Sequence, residues 1–205
     1  MLKKLLLFTI ILPLISFGQN YKFNLLTKYD NIYPKGKMES IHYSNKEDDS
    51  YFFKISKIGS DYLGYLVDYK KNDIHIFKAI EYVGPNNEIA YSYKYKLTYK
   101  LIHKKKKKIK GLTYFLESIE GNYLIYNLEL NYKKENVKIQ VKVLPYYNNM
   151  FRLFRMSCLH TNELNEELFA DIKGLVVEAT IKHKKNISTH KLVAIENVDL
   201  SLKVD

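Results

Sequence analysis

Cys158 and His160 are the pair of residues whose types and spacing come closest to a catalytic arrangement. If residues 150–159 form a strand, both side chains point to one face, about 7 Å apart at the backbone. A nucleophilic thiolate needs a base within hydrogen-bond reach, which a flexible strand end could supply. No signature glycine or partner motif surrounds the pair, so the simpler interpretation is a buried, inert cysteine on a core strand. We expect no enzyme.

The remaining candidates for metal or cofactor chemistry are sparse. His42, His75, His183 and His190 are scattered, and the acidic residues of segment 47–49 are typical of a polar turn rather than a calcium site. The chain contains no phosphate-binding loop, nucleophile elbow, zinc spacing or dinucleotide fingerprint. We therefore expect neither a cofactor nor a bound metal.

A stripe of tyrosines is the first candidate for binding. Tyr91, Tyr93, Tyr95 and Tyr99 alternate with small or charged residues. Their apolar rings and polar hydroxyls would suit lipid tails close to head groups, so the stripe could line a ligand cavity. The alternative is a sheet that packs on its own core while the hydroxyls reach water. The stripe predicts that Tyr93 and Tyr95 are largely buried on one concave face.

A run of five lysines is the second candidate for binding. Adjacent like charges repel one another, so the run predicts a solvated hairpin loop. Such a loop could contact anionic lipid, lipopolysaccharide or another polyanion, or it could have no function beyond solvation. No aromatic residue interleaves the lysines, so nucleic acid is not an expected partner. The run consists of Lys104, Lys105, Lys106, Lys107 and Lys108.

Alternation of apolar and polar residues, together with the turns between the apolar segments, predicts strands throughout the chain. The longest example is segment 88–103, whose length indicates a strand that bends or twists strongly. Asn and Gly in the intervening turns, as in segments 70–73 and 84–87, favour tight reversals. The other predicted strands are 37–44, 51–58, 62–69, 74–83, 112–119, 124–132, 137–143, 150–159, 175–182 and 189–202.

Helical patterns are rare in this sequence. Segment 161–173 places Leu164, Leu168, Phe169 and Ile172 on one face, begins with a capping residue and ends at a glycine. Residues 20–35 predict a short N-terminal helix or an irregular arm. The sequence therefore predicts a mainly β fold: a single antiparallel meander, closed as a curved half-barrel, barrel or sandwich, with one helix near 161–173.

Residues 1–18 have the layout of a secretory signal peptide, with a basic start, an apolar segment and small residues before the expected cleavage site. Lys3 and Lys4 would leave with it, so the formal charge falls from +11 to +9. The expected product is one β-rich domain, residues 19–205, in the periplasm or outside a Gram-negative cell. Cys158 is the only cysteine, so no internal disulfide and no lipid attachment at the N-terminus are expected, and no later segment is apolar enough to span a membrane.

The segment 168–178 is similar to the C-terminal part of the GLPGLI-type secreted proteins. It ends a meander in helix, glycine and two strands, and it shares the dipeptide Gly174-Leu175 with the string that names those proteins. In general layout, that group resembles the periplasmic lipoprotein-carrier half-barrels. The resemblance covers mainly the last third of the chain, and no functional residue follows from it. The sequence favours a non-catalytic binding module for a lipid or other amphiphile in the cell envelope; the alternative is an envelope structural or protein-interaction domain with a filled core.

Overall fold

A computed structural model of the chain describes residues 18–58, 60–85, 89–100, 109–132, 136–146, 149–158 and 170–204. Within these ranges the chain forms eleven strands and one helix. None of the residues described there forms a helix long and apolar enough to cross a membrane. The elements are β1 (Gln19–Tyr33), β2 (Gly36–Ser44), β3 (Tyr51–Ile58), β4 (Asp61–Asp68), β5 (Asp73–Val83), β6 (Ile89–Lys100), β7 (Ile109–Glu120), β8 (Tyr123–Tyr132), β9 (Asn136–Leu144), α1 (Phe151–Cys158), β10 (Leu175–His183) and β11 (Asn186–Val204).

The strands form one antiparallel sheet in the order β6-β5-β4-β3-β2-β1-β11-β10-β9-β8-β7. The first and last strands, β1 and β11, pair in its centre, so one meander runs outward to β6 and the other to β7. The predicted mainly β, antiparallel class is therefore confirmed. The sheet is open between β6 and β7 and is not closed into a barrel.

The hairpin of β8 and β9 shows why the alternating pattern succeeds. Val137, Ile139, Val141 and Val143 are all buried, while the residues between them face outward. Leu130 lies opposite Val137, so the two strands present one apolar face. This register confirms the hairpin predicted from segments 124–132 and 137–143.

Aromatic side chains fill one side of the β1–β6 meander. Tyr43 on β2 and Tyr93 on β6 lie four strands apart, so a flat sheet would separate them by roughly 19 Å. Their hydroxyl oxygens are instead 3.2 Å apart, and the Phe53 and Tyr93 ring centroids are 4.8 Å apart. The meander therefore curls around a filled interior, which we call the tyrosine core. Its buried members are Tyr21, Phe23, Leu26, Ile41, Phe53, Ile55, Leu66, Phe77, Ala79, Leu202 and Val204.

A second core lies on the opposite side of the sheet, beneath α1. Phe151, Phe154 and Cys158 of the helix pack on buried residues of β8, β9 and β10. Tyr29 belongs to this helix core, and its hydroxyl donates a hydrogen bond to the Val176 carbonyl at 2.7 Å. On the neighbouring side of α1, a smaller cluster consists of Leu25, Phe52, Val67, Leu153, Met156 and Leu175.

Two local predictions are corrected by the structure, and a third falls mostly outside the described residues. Segment 150–159 is not a strand, because Phe151–Cys158 is helical and buries both flanks of α1 against the sheet. Residues 20–35 are not a helix or an arm, because β1 is the central strand. The described helix also precedes the predicted one: residues 161–169 lie outside the described ranges, and 170–173 are not helical.

Candidate functional site

The tyrosine stripe lies on the edge strand β6 and packs inward. Tyr91, Tyr93 and Tyr95 are partly buried against the tyrosine core, and Tyr93 donates a hydrogen bond to the Tyr43 hydroxyl. Burial, and then the neighbouring Tyr43, raises the pKa of Tyr93. A register shift in the pairing with β5 separates Tyr99 from this group, and Tyr99 is 45% exposed. Three of the four tyrosines thus cover a filled core.

Two other predicted sites, the lysine run and the pair of Cys158 and His160, fall wholly or partly outside the described residues. The lysines of 104–108 and His160 lie outside the described residues. Cys158 is buried at the end of α1, and burial raises the pKa of its thiol. A thiol held in this way is protonated at neutral pH, which suits a structural cysteine.

A cavity of about 690 Å³ lies beside α1, and we call it the α1 cleft. Seven apolar residues from α1, the segment before it and the adjoining strands form its floor. Its rim carries charged and amide side chains. The apolar lining consists of Leu25, Leu144, Met150, Leu153, Met156, Leu175 and Ile195, and the rim includes Asn45, Lys46, Glu47, Asp49, Arg152, Glu196 and Asn197.

Most charged side chains at the rim of the α1 cleft interact with other groups of the protein. Arg152 forms an ion pair with Asp49. Lys46 donates through Nζ to the Asn197 side chain at 2.6 Å, and Glu47 accepts a hydrogen bond from Asn24 at 2.6 Å. The rim therefore offers hydrogen-bonding groups around an apolar floor without a strong excess of either charge.

The position of α1 depends on the segment that follows it. Met150 N donates to the Gly174 carbonyl at 3.1 Å, and Asn149 Oδ1 accepts from Phe151 N at 3.0 Å at the helix start. Gly174 has a φ of 145°, and a side chain there would lie 2.6 Å from the Leu144 carbonyl oxygen. Only glycine fits this conformation and this close approach. The Gly174-Leu175 dipeptide thus has a structural role at the wall of the cleft.

A second cavity, of about 670 Å³, opens where β2 and β3 separate. The two strands pair only from Ile41 to Ser44 and from Phe52 to Ile55. We call this cavity the β2–β3 slot. Met156 lines both cavities, so α1 stands between them. The slot is lined by Tyr33, Lys37, Met38, Glu39, Ser40, Ile41, His42, Lys54, Ile55, Ser56, Lys57, Tyr62, Tyr91, Met156, Ser157 and Cys158.

Ser157 and His42 in the slot resemble part of a catalytic constellation without completing it. Ser157 Oγ and His42 Nδ1 are 3.2 Å apart. Burial, and then the positive charge of Lys54, lowers the pKa of His42 to about 3. Such a histidine is a poor general base near neutrality, and no carboxylate within the described ranges hydrogen-bonds to it. The pair suits packing better than acyl transfer.

A buried polar network lies beside the tyrosine core and joins side chains of β1, β4, β5 and β6. Tyr21 donates through its hydroxyl to Asp68 at 2.8 Å, and the same oxygen lies 3.3 Å from His75 Nε2. His75 Nδ1 is 2.6 Å from the Thr98 hydroxyl. Burial raises the pKa of Tyr21 and lowers that of His75. The network satisfies these groups and ties β1 to β4, β5 and β6, which favours a structural role.

No cluster of three or more metal-ligating side chains occurs in the ranges that the structure describes. Comparisons of the chain with protein-family models and with curated proteins found no match. The similarity of segment 168–178 to the GLPGLI-type proteins therefore stays a prediction. The α1 cleft and the β2–β3 slot are the sites from which a function can be argued.

Proposed function

We propose that the protein is an exported, non-catalytic binding protein that holds an amphipathic ligand in the α1 cleft. The observation that supports this most directly is the combination of an apolar floor with a hydrogen-bonding rim in a cavity of about 690 Å³. Small-molecule sites typically enclose roughly 300–1,000 Å³ and combine apolar walls with a few polar groups that orient the ligand. The proposal places the ligand at α1 instead of the tyrosine stripe.

The rim chemistry favours a neutral or zwitterionic polar group on that ligand. Arg152 is paired with Asp49, Lys46 is hydrogen-bonded to Asn197, and Glu47 and Glu196 lie at the same rim, so neither an anionic nor a cationic head group meets a strong opposite charge. A hydroxyl, amide or zwitterionic group can instead add hydrogen bonds to the existing ones. Burial of the apolar part would supply most of the affinity, at roughly 25 cal/mol per Å².

Export and envelope contact belong to the same proposal. The basic and apolar pattern of residues 1–18 supports secretion. The lysine run at 104–108 would then contact anionic envelope surfaces, because five adjacent positive charges attract a polyanion. Recovery of the protein with acidic vesicles and with neutral vesicles after flotation tests this contact. Equal recovery in both would remove it.

A fluorescent reporter can test the cleft directly, because the chain contains no tryptophan. Tyr146 lines the cleft, so Tyr146→Trp introduces a single indole there. Titration with monomeric lysophosphatidylcholine should give a saturable change in tryptophan emission. An unchanged emission spectrum, together with no uptake of the probe in equilibrium dialysis, would contradict the proposal.

A matched pair of variants on β11 separates the cleft from the surface. Ile195 lines the cleft and is 42% exposed, whereas Val193 is 50% exposed on the same strand and does not line it. Ile195→Lys should weaken binding about tenfold or more, because it places a charge in the apolar floor. Val193→Lys should leave binding unchanged. Equal losses in both variants would mean that the probe binds elsewhere.

A protein-interaction domain is the second candidate function. The edge strand β7 exposes large apolar side chains, with Phe115 62% and Ile119 67% exposed. An exposed apolar edge strand is a template for pairing with another strand. If β7 pairs with a second copy, the sedimentation coefficient should rise with protein concentration, and Phe115→Lys should abolish that rise. A concentration-independent coefficient in the unmodified protein would count against self-pairing.

A further inference from the structure

The β2–β3 slot exists because two neighbouring strands separate before they end. β2 has nine residues and β3 has eight, yet they pair over only four positions. Beyond Ile41 and Ile55 the strands diverge, and the slot of about 670 Å³ lies at that divergence. Alternation along the strands places His42, Lys54 and Ser56 toward α1, while Ile55 and Lys57 face the tyrosine core. The slot therefore reaches both sides of the sheet.

Positive charge predominates among the residues that line the slot. Lys37, Lys54 and Lys57 contribute three ammonium groups against the single carboxylate of Glu39. Lys37 is neutralised by Asp30 at 2.7 Å. Neither Lys54 nor Lys57 forms an ion pair with a carboxylate in the part of the chain that the structure describes. The slot thus holds about one uncompensated positive charge once Glu39 is counted.

Lys54 is the unusual member of this group, because it is partly buried on a central portion of the sheet. Its cross-strand neighbours are His42 and Tyr65, neither of which carries a negative charge. Its ammonium group lies 5.7 Å from the centre of the Tyr65 ring. Burial lowers the pKa of Lys54, which means that the folded protein destabilises the charged form of this side chain. A partly buried lysine without a carboxylate is costly, and an anionic ligand would offset that cost.

The remaining walls of the slot provide a hydroxyl and an apolar surface. Ser56 lies on the same side of β3 as Lys54, and its hydroxyl forms no hydrogen bond with another described residue. Tyr62 and Tyr91 pack edge to face, with ring centroids 5.4 Å apart. Lys57 lies 5.4 Å from the centre of the Tyr62 ring. A ligand with one anionic end and one apolar end matches this arrangement.

We propose that the β2–β3 slot binds a small organic monocarboxylate, with the carboxylate at Lys54 and Ser56 and the apolar part against Tyr62 and Tyr91. The single uncompensated charge favours a monoanion over a phosphate group that carries two charges. This site is separate from the α1 cleft, and it would stand if the cleft bound nothing.

Calorimetry with octanoate, octanol and octylammonium tests the proposed head-group preference. Octanoate should bind with one site per chain, whereas octanol and octylammonium should bind at least tenfold more weakly. Lys54→Met should weaken octanoate binding about tenfold to a hundredfold, the effect expected for loss of a hydrogen bond to a charged group. Lys78→Met is the matched control, because Lys78 is an exposed strand lysine that does not line the slot. Equal binding of octanoate and octanol, or equal affinities of the two variants, would overturn the proposal.

Methionine methyl NMR locates the ligand even if Lys54→Met fails to fold. Met38 lines only the slot, Met150 lines only the cleft, and Met156 lines both. Octanoate should shift the methyl signals of Met38 and Met156 and leave that of Met150 unchanged. A shift confined to Met150 would show that octanoate occupies the cleft and would overturn the assignment to the slot. Lysophosphatidylcholine should instead shift the methyl signal of Met150 and leave that of Met38 unchanged. Failure of the cleft proposal can therefore be distinguished from failure of the slot proposal.

Discussion

Replacement of Gly64 by alanine should destabilise the protein, although the same change at an ordinary strand position is favourable. Gly64 lies on β4, and a Cβ atom there would approach two ring atoms of Phe53 to less than 3.0 Å. The Phe53 ring cannot withdraw easily, because it is fully buried and contacts the rings of Phe23, Phe77 and Tyr93. The glycine thus provides the space in which this ring sits.

The size of the effect follows from two opposing contributions. Overpacking a core typically costs about 1–3 kcal/mol. Alanine in a strand gains about 0.5–1 kcal/mol over glycine, since the unfolded chain loses conformational freedom. The difference between these ranges runs from about 0 to 2.5 kcal/mol. Because the Phe53 ring is held by its aromatic neighbours, we expect Gly64→Ala to lower the free energy of unfolding by about 1–2 kcal/mol. For a domain of this size, that corresponds to a fall in Tm of about 2–8 °C.

Urea denaturation followed by circular dichroism measures the change. Gly111→Ala is the control, because a Cβ at Gly111 on the edge strand β7 meets no atom within 4 Å. That variant should be as stable as the parent or up to about 1 kcal/mol more stable. The reasoning is refuted if Gly64→Ala matches Gly111→Ala in stability.

A double variant tests the cause of the loss at Gly64. Phe53→Leu shortens the side chain that the new methyl group would strike, so it should recover part of the cost of Gly64→Ala. The cost of the double variant should therefore be smaller than the sum of the two single costs, by about 1 kcal/mol. Additive costs would mean that the ring of Phe53 is not the obstacle.

Three further predictions concern buried polar groups. Tyr29→Phe should lower the free energy of unfolding by about 1–2 kcal/mol in urea, because the Val176 carbonyl loses its hydroxyl donor; an unchanged midpoint would contradict that hydrogen bond. Burial lowers the pKa of His42 to about 3. Between about pH 6.5 and 3 the histidine is therefore protonated in the unfolded chain but not in the native state, so the free energy of unfolding should fall by about 1 kcal/mol per pH unit as the pH drops through this range. His42→Gln should flatten that slope in denaturation curves measured between pH 5 and 7, whereas an unchanged slope would assign it to other groups. Cys158 should react slowly with a thiol reagent at pH 7 and rapidly in urea, because it is buried and its pKa is raised; rapid reaction of the native protein would be the contrary result.

Period-two alternation predicts a strand wherever one face of the strand is covered and the other is exposed. β9, with Val137 and Ile139 inward and charged residues outward, is the clearest case. β1 shows this pattern only in two pieces, because Leu25, Leu26 and Thr27 are buried in succession where the strand separates the two cores. Burial on both faces removes the alternation that marks a strand.

The helix α1 was predicted as a strand because its start lacks the usual helix signals. It has only eight residues and no acidic residue in its first turn, so its apolar residues alone suggested a strand. On a strand, Leu153 and Met156 would point to opposite faces, whereas on α1 both line the cleft.

The candidate sites could not be predicted from the sequence because their walls come from distant segments. The cleft combines residues of β1, α1, β10 and β11, and nothing in the local pattern marks Leu25 or Ile195 as its lining. Lys54 resembles any outward lysine of an alternating strand until β2 and β3 are seen to separate. Tyr93 was predicted to be buried because aromatic alternation is a local signal, and it is partly buried against the core.

The pairing of β1 with β11 sets the order in which this sheet can be completed. Gln19 lies opposite Val204, so the central ladder joins residues separated by nearly the whole folded chain. During synthesis, each meander can form its own hairpins early, but the two halves remain unjoined until the last strand is available. Contacts at such long sequence separation slow folding, because a large loop must close before they are gained. Until that moment one edge of β1 lacks its β11 partner, and an unpaired apolar edge is the kind of surface on which partly folded chains aggregate.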